Sequence, residues 1–101
     1  MSGKVKMIVG SDNVFRDIGF AGDEAQNLLL RTDLMIAIER YIRKSGLSQT
    51  EAAKKLGITQ PRLSDLFRHR IERFSLDALV ILAAKAGLSV RMSVRIGRAH
   101  V

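Results

Sequence analysis

The chain contains no cysteine, so neither disulfide cross-links nor thiolate chemistry is open to it, and a cytoplasmic location is the expectation that follows. His69 and His100 are its only histidines, and its acidic residues show no paired arrangement suited to acid–base work. Metal-ligand spacing and glycine-rich phosphate loops are both missing. No catalytic residue, cofactor or metal is therefore expected, and the chain does not read as an enzyme. No run of about 18 apolar residues exists, so no membrane span is expected. Met7-Ile8-Val9 is too short for the apolar core of a signal peptide. Proline occurs once, at Pro61, and neither a repeat nor a low-complexity linker interrupts the chain.

What is present is one domain's worth of foldable sequence. The 101 residues are 47% apolar, enough for a single core. The formal net charge is +7, which favours a polyanionic partner. Residues 45–74 and 75–101 carry +3 each, so the excess lies in the second half.

Helical periodicity begins near Asp23 and runs to about Lys44. Leu30, Leu34, Ile38 and Ile42 recur every four residues, and Leu28, Met35 and Tyr41 widen the stripe. Asp23-Glu24 at the start and Arg43-Lys44 at the end suit the helix dipole, and Gly46 stops the helix. Ser48-Gln49-Thr50-Glu51 has the form of a capping box, opening a short helix to Leu56 that stops at Gly57. Thr59 can cap a third helix with Pro61 in its first turn, ending near Arg68. A fourth, capped by Ser75, turns Leu76, Leu79, Val80 and Ala83 inward and ends at Gly87. From Leu88 to Ile96 the period changes to two, the mark of a strand with one wet face. Its partner must be Lys4 to Val9 or the same strand of a second subunit. The expected fold is therefore mainly α: a compact bundle of four to five helices with a short C-terminal β-strand.

Residues Gln49 to Arg68 meet the demands of a helix-turn-helix. Two short helices must cross steeply about a tight turn. Ala52 and Ala53 allow close approach, and Gly57 accepts a positive φ. Ala53, Leu56, Gly57, Ile58, Leu63 and Leu66 form the motif's core and turn. At about 100° per residue, Leu63, Leu66 and Phe67 share one face of the third helix. Pro61, Asp65 and Arg68 lie opposite, flanked by Ser64 and Arg62, with Gln60 at the N-terminal tip. A recognition helix reads base edges through such N-terminal residues, so Gln60, Pro61, Arg62, Ser64 and Asp65 are the candidate base contacts. Gln60 suits an adenine edge, Arg62 or Arg68 a guanine or a phosphate, and Pro61 a thymine methyl. Asp65 suits a cytosine amino group, or else restrains Arg62 or Arg68. Gln49, Arg43, Lys44, Thr59, Arg68 and Arg70 are the candidate phosphate contacts, Gln49 because it opens the first helix of the motif. Lys54 and Lys55 are weaker candidates, and His69 is placed for phosphate contact or simple exposure.

The segment "LSQTEAAKKLGITQPRLSDLFRHR" resembles the XRE family of helix-turn-helix proteins, which includes phage repressors and Cro. The wider pattern of "NVFRDIGF", "EAQNLLLRTDLMIAI" and "FSLDALVILAAKAG" resembles short XRE regulators, many of them antitoxins of HigA-like toxin–antitoxin pairs. The resemblance spans roughly Asn13 to Gly87. It implies a homodimer that binds palindromic double-stranded DNA and represses its own transcription. It implies, as the alternative, an antitoxin that neutralises a RelE/HigB-like toxin, with DNA binding serving autoregulation. By position Gln49 matches the family's phosphate contact and Gln60 its leading base reader. Pro61 and Asp65 stand where many members carry longer hydrogen-bonding side chains.

Three segments result: an N-terminal extension over 1–22, the helix-turn-helix domain over 23–87, and a strand and tail over 88–101. Val14, Phe15, Ile18 and Phe20 suit either docking on a toxin or covering the chain's own first helix. A dimer is expected, because one helix-turn-helix contacts a half-site and symmetric dimers bind two about 34 Å apart. The strand from Leu88 to Ile96 is the candidate interface.

Overall fold

The computed structural model describes residues 3–9, 14–19 and 23–96, with side chains over 24–91. Four α-helices form the body: α1 (Asp23–Ser45), α2 (Gln49–Leu56), α3 (Gln60–Phe67) and α4 (Leu76–Ala86). A single 3-10 turn, Ile71–Arg73, joins α3 to α4. Strands β1 (Gly3–Val9), β2 (Val14–Gly19) and β3 (Val90–Ile96) form one antiparallel sheet in the order β2-β1-β3. The fold is mainly helical, with the expected C-terminal strand.

Local chemistry sets the helix ends. Ser48 accepts from the Glu51 amide while Glu51 accepts from the Ser48 amide, which completes a capping box on α2. Gly57 ends α2 at φ 71°, and its amide and that of Ile58 bond back to Lys54 and Ala53. Thr59 caps α3 by accepting from the Arg62 amide, and Ser75 caps α4 by accepting from Ala78. Gly87 ends α4 at φ 103°, where a Cβ would stand 3.2 Å from the Tyr41 hydroxyl. Only glycine fits there on both counts.

The core lies where α1 meets α3 and α4. Leu34, Met35, Ala37 and Ile38 of α1, Leu56 of α2, Leu63 and Leu66 of α3, Phe74, and Leu79 and Ala83 of α4 are all buried. Two details differ from the helical stripes read in the sequence. Leu28 is 45% exposed, on an open hollow that it shares with Glu24, Asn27 and Arg31. Leu82 of α4 is buried, whereas Leu76 and Val80 only flank the core.

The strand after α4 finds its partner within the chain. β1 pairs with β3 in the register Val5↔Val94 and Met7↔Met92. It starts at Val90, later than the expected Leu88, because Leu88 is buried in the helical core. The surprise is β2: residues 14–19 form a strand against β1, with Val5↔Ile18 and Met7↔Arg16, and the backbone of that strand lies against α1.

Replacing Leu34, fully buried, with alanine removes contacts that nothing nearby refills. Leu34→Ala should cost about 2–5 kcal/mol in denaturant unfolding. Leu28→Ala should stay within about 0.5 kcal/mol. Equal losses would mean that the core is placed wrongly.

Candidate nucleic-acid interface

Helices α2 and α3 meet across the Gly57 turn and leave their first turns on the surface. Gln49, Thr50, Thr59, Gln60 and Pro61 are all exposed. Gln60 Nε2 donates to Thr50 Oγ1 at 3.0 Å, so the tip of α3 is tied to the first turn of α2. That bond uses an amide donor and orients the rest of the Gln60 amide group. Ser64 is half-buried and Arg68 is exposed one turn further along.

The inward side of the motif is closed by small and branched residues. Ala52, Ala53, Leu56, Leu63 and Leu66 are buried, Ile58 is half-buried, and Gly57 occupies the turn. Gln49 and Arg43 share a hollow of about 240 Å³ with Leu47 and Phe67. Arg43 lies over the Phe67 ring at 4.6 Å and bonds to Glu39 through Nε at 2.8 Å. A cation and an exposed helix start therefore stand side by side. Lys44, Lys54 and Lys55 are exposed nearby.

Two candidate base readers are held differently from the others. Arg62 stacks on Phe74 at 4.3 Å and donates through Nη1 to the Arg73 carbonyl at 3.0 Å. It braces the turn after α3. Asp65 is restrained neither by Arg62 nor by Arg68, as the sequence suggested, but by Arg73 at 3.3 Å and Arg70 at 3.7 Å. The reason is the 3-10 turn, which carries Arg70 and Arg73 back beside α3. Arg70, a candidate phosphate contact, is thereby half-buried against its own protein.

Other parts of this region were not legible in the sequence. Arg31 of α1 donates through Nη1 to the carbonyls of Ile71 and Phe74, at 3.0 and 3.3 Å, and through Nε to Asn27 at 2.7 Å. As a polar residue on a long helix it gave no signal of that role. His69 takes a positive φ of 58°, and its Nε2 meets Glu39 Oε1. A carboxylate only accepts, so Nε2 carries the hydrogen. Burial pushes the Glu39 carboxyl up, but its bonds to His69 and Arg43 outweigh this and hold it below the ordinary value near 4.5.

Among the described residues no group of His, Asp or Glu is placed to hold a metal, and no helix is long and apolar enough to cross a membrane. The helix-turn-helix domain family matches residues 14–95. No curated protein matches the chain. Among solved structures, a protein named as an XRE family transcriptional regulator is similar over 64% of this chain and 73% of its own. The TM-score is 0.62 and the identity 32%.

If Arg62 is a brace, its loss weakens the fold itself. Arg62→Ala should lower stability by about 1–2 kcal/mol, from one stacking contact and one hydrogen bond. Unchanged stability would return it to the base readers. For Glu39 the sign follows from the lowered carboxyl: its stabilisation is fully present above the unfolded value and is lost as pH falls through the folded one. The melting-temperature gap between wild type and Glu39→Gln should therefore shrink as pH drops below about 4.5. A gap constant from pH 7 to pH 3 would show that the carboxylate is not engaged.

Proposed function

The chain belongs to the helix-turn-helix domain family, in its XRE type, and on that premise we propose that it is a sequence-specific DNA-binding transcriptional regulator acting as a dimeric repressor. The observation that carries this reading is the exposed edge of the α2–α3 unit. Gln60 stands at the tip of α3, held by Thr50, and Gln49 opens α2 beside Arg43. A duplex laid on this edge meets a hydrogen-bonding side chain able to reach a base and a helix start able to hold a phosphate.

In this reading Gln60, Pro61 and Ser64 meet bases, with Asp65 offering a restrained acceptor. Gln49, Arg43, Lys44, Thr59 and Arg68 meet phosphates. Arg62 and Arg70 act first on the protein, by fixing the loop that leaves α3. Repression follows by occlusion: a protein bound over a promoter keeps the polymerase off. A second reading, an antitoxin that neutralises a RelE/HigB-like toxin, has one observation on its side. The sheet register gathers apolar residues into cross-strand rows, a composition that the apolar face of a protein partner would match.

The deciding experiment is a fluorescence titration with DNA from upstream of the chain's own gene, beside a scrambled duplex, at two salt concentrations. Specific binding should exceed nonspecific binding by orders of magnitude. Gln60→Ala should narrow that lead by about 1–3 kcal/mol, and Gln49→Ala should weaken both duplexes alike. Equal, weak and steeply salt-dependent binding to both would leave only a basic surface. The toxin-binding reading would then take precedence.

A further inference from the structure

Part of the excess charge lies outside the helix-turn-helix edge: residues 75–101 carry +3, and β3 holds Arg91 and Arg95. Phe15, which the sequence groups with Val14 and Ile18, also has no place in that edge. The register of the sheet brings these residues together.

Residues directly opposite in an antiparallel pair lie on one face of the sheet. One face carries three rows: Lys4 with Gly19 and Arg95, Lys6 with Asp17 and Ser93, and Ile8 with Phe15 and Arg91. Val14 and Ile18 fall on the opposite face, in rows with Val9 and Val90 and with Val5 and Val94. Phe15 is thus separated from its apolar neighbours and set among cations. Val90 packs against the helical core, while Arg91 beside it is exposed. The face that carries Arg91 is therefore the one open to water where β3 leaves the helices.

Four cations with one carboxylate are well served by water alone, and by themselves they call for no partner. An aromatic residue in the same rows changes the chemistry. Proteins that hold unpaired nucleic acid combine cations that follow the phosphates with aromatic rings on which bases stack, whatever the base sequence. A duplex keeps its base faces inside the stack, so it would engage the cations and leave Ile8 and Phe15 unmatched. Strands β1, β2 and β3 lie against α1 and α4, so this face is not part of the exposed α2–α3 edge.

We propose that the Arg91 face of the sheet binds an unpaired nucleic-acid strand, with Lys4, Lys6, Arg91 and Arg95 supplying charge for its phosphates and Phe15 a stacking surface for a base. This activity is separate from duplex recognition by α2 and α3 and stands or falls without it.

The test uses the full chain and fluorescence anisotropy with labelled dT20, U20 and a scrambled duplex, over a series of salt concentrations. Anionic phospholipid vesicles serve as a second polyanion. Wild type would be compared with Arg91→Gln, Phe15→Leu and Gln60→Ala, each checked by circular dichroism. Arg91 is exposed, so its replacement leaves the core untouched. Wild type should bind one or both single strands, and a preference between them identifies DNA or RNA by the 2′-hydroxyl. Arg91→Gln should flatten the slope of log affinity against log salt by about 0.7, the contribution of one phosphate contact on a single strand. Phe15→Leu should weaken single-strand binding about 5- to 100-fold at an unchanged slope, as loss of one stacked base does, and leave duplex binding as it was. Gln60→Ala should leave single-strand binding unchanged. Failure of wild type to bind either strand, or binding to vesicles in their place, overturns the proposal. So does single-strand binding that Gln60→Ala abolishes, or that neither Arg91→Gln nor Phe15→Leu alters. Equal losses on strand and duplex from Phe15→Leu would also overturn it, since no unpaired base would then be involved.

Discussion

Helices α2 and α3 have eight residues each, and helices of that length do not hold their shape alone in water. Everything that makes the exposed edge of the molecule a definite surface comes from what surrounds these two turns. Their caps satisfy amides that the short helices cannot satisfy themselves. Leu56, Leu63 and Leu66 then anchor them to α1 and α4, with exposures of 0%, 1% and 0%. The long α1 is the wall against which this happens, since Leu34, Met35, Ala37 and Ile38 are fully buried along it. The interface is thus a surface property of a core it does not belong to.

The polar web around the exit of α3 does different work. Its ion pairs are partly exposed, and pairs of that kind contribute little to stability. Their effect is on position. Arg31 holds two carbonyls of the turn, Arg62 lies on Phe74, and Asp65 gathers Arg70 and Arg73. The loop from Arg68 to Ser75 is fixed from three sides, and with it the direction in which α3 points. Net charge therefore overstates the cations this face can offer a polyanion. Several of its arginines are already committed to carbonyls, rings and carboxylates of their own chain.

The helices were legible because their signals are local. Ser48 with Glu51, Thr59, Ser75, Gly57 and Gly87 each act within a few residues of where they stand, and the stripe on α1 repeats within one element. The alternation of β3 is equally local, and so was the need for a partner strand. β2 was not legible. Val14 and Phe15 are adjacent apolar residues, and Arg16 falls in an otherwise apolar row, so its sequence shows no clean period of two. The site failed for a related reason. Asp65 meets Arg73 eight residues on, and Glu39 meets His69 thirty residues on. Such contacts depend on how elements pack, and Arg62 shows the consequence: by residue type it reads bases, and by packing it braces a turn.

The sheet couples the two ends of the chain to the helices that carry the interface. Three residues of sequence, 20–22, separate β2 from α1, and three more, 87–89, separate α4 from β3. Leu88 in the second is buried in the helical core. The orientation of the sheet is therefore tied to α1 and α4, the two helices on which α2 and α3 are seated. The strands that looked peripheral in sequence are thereby joined to the frame on which the two short helices of the motif sit.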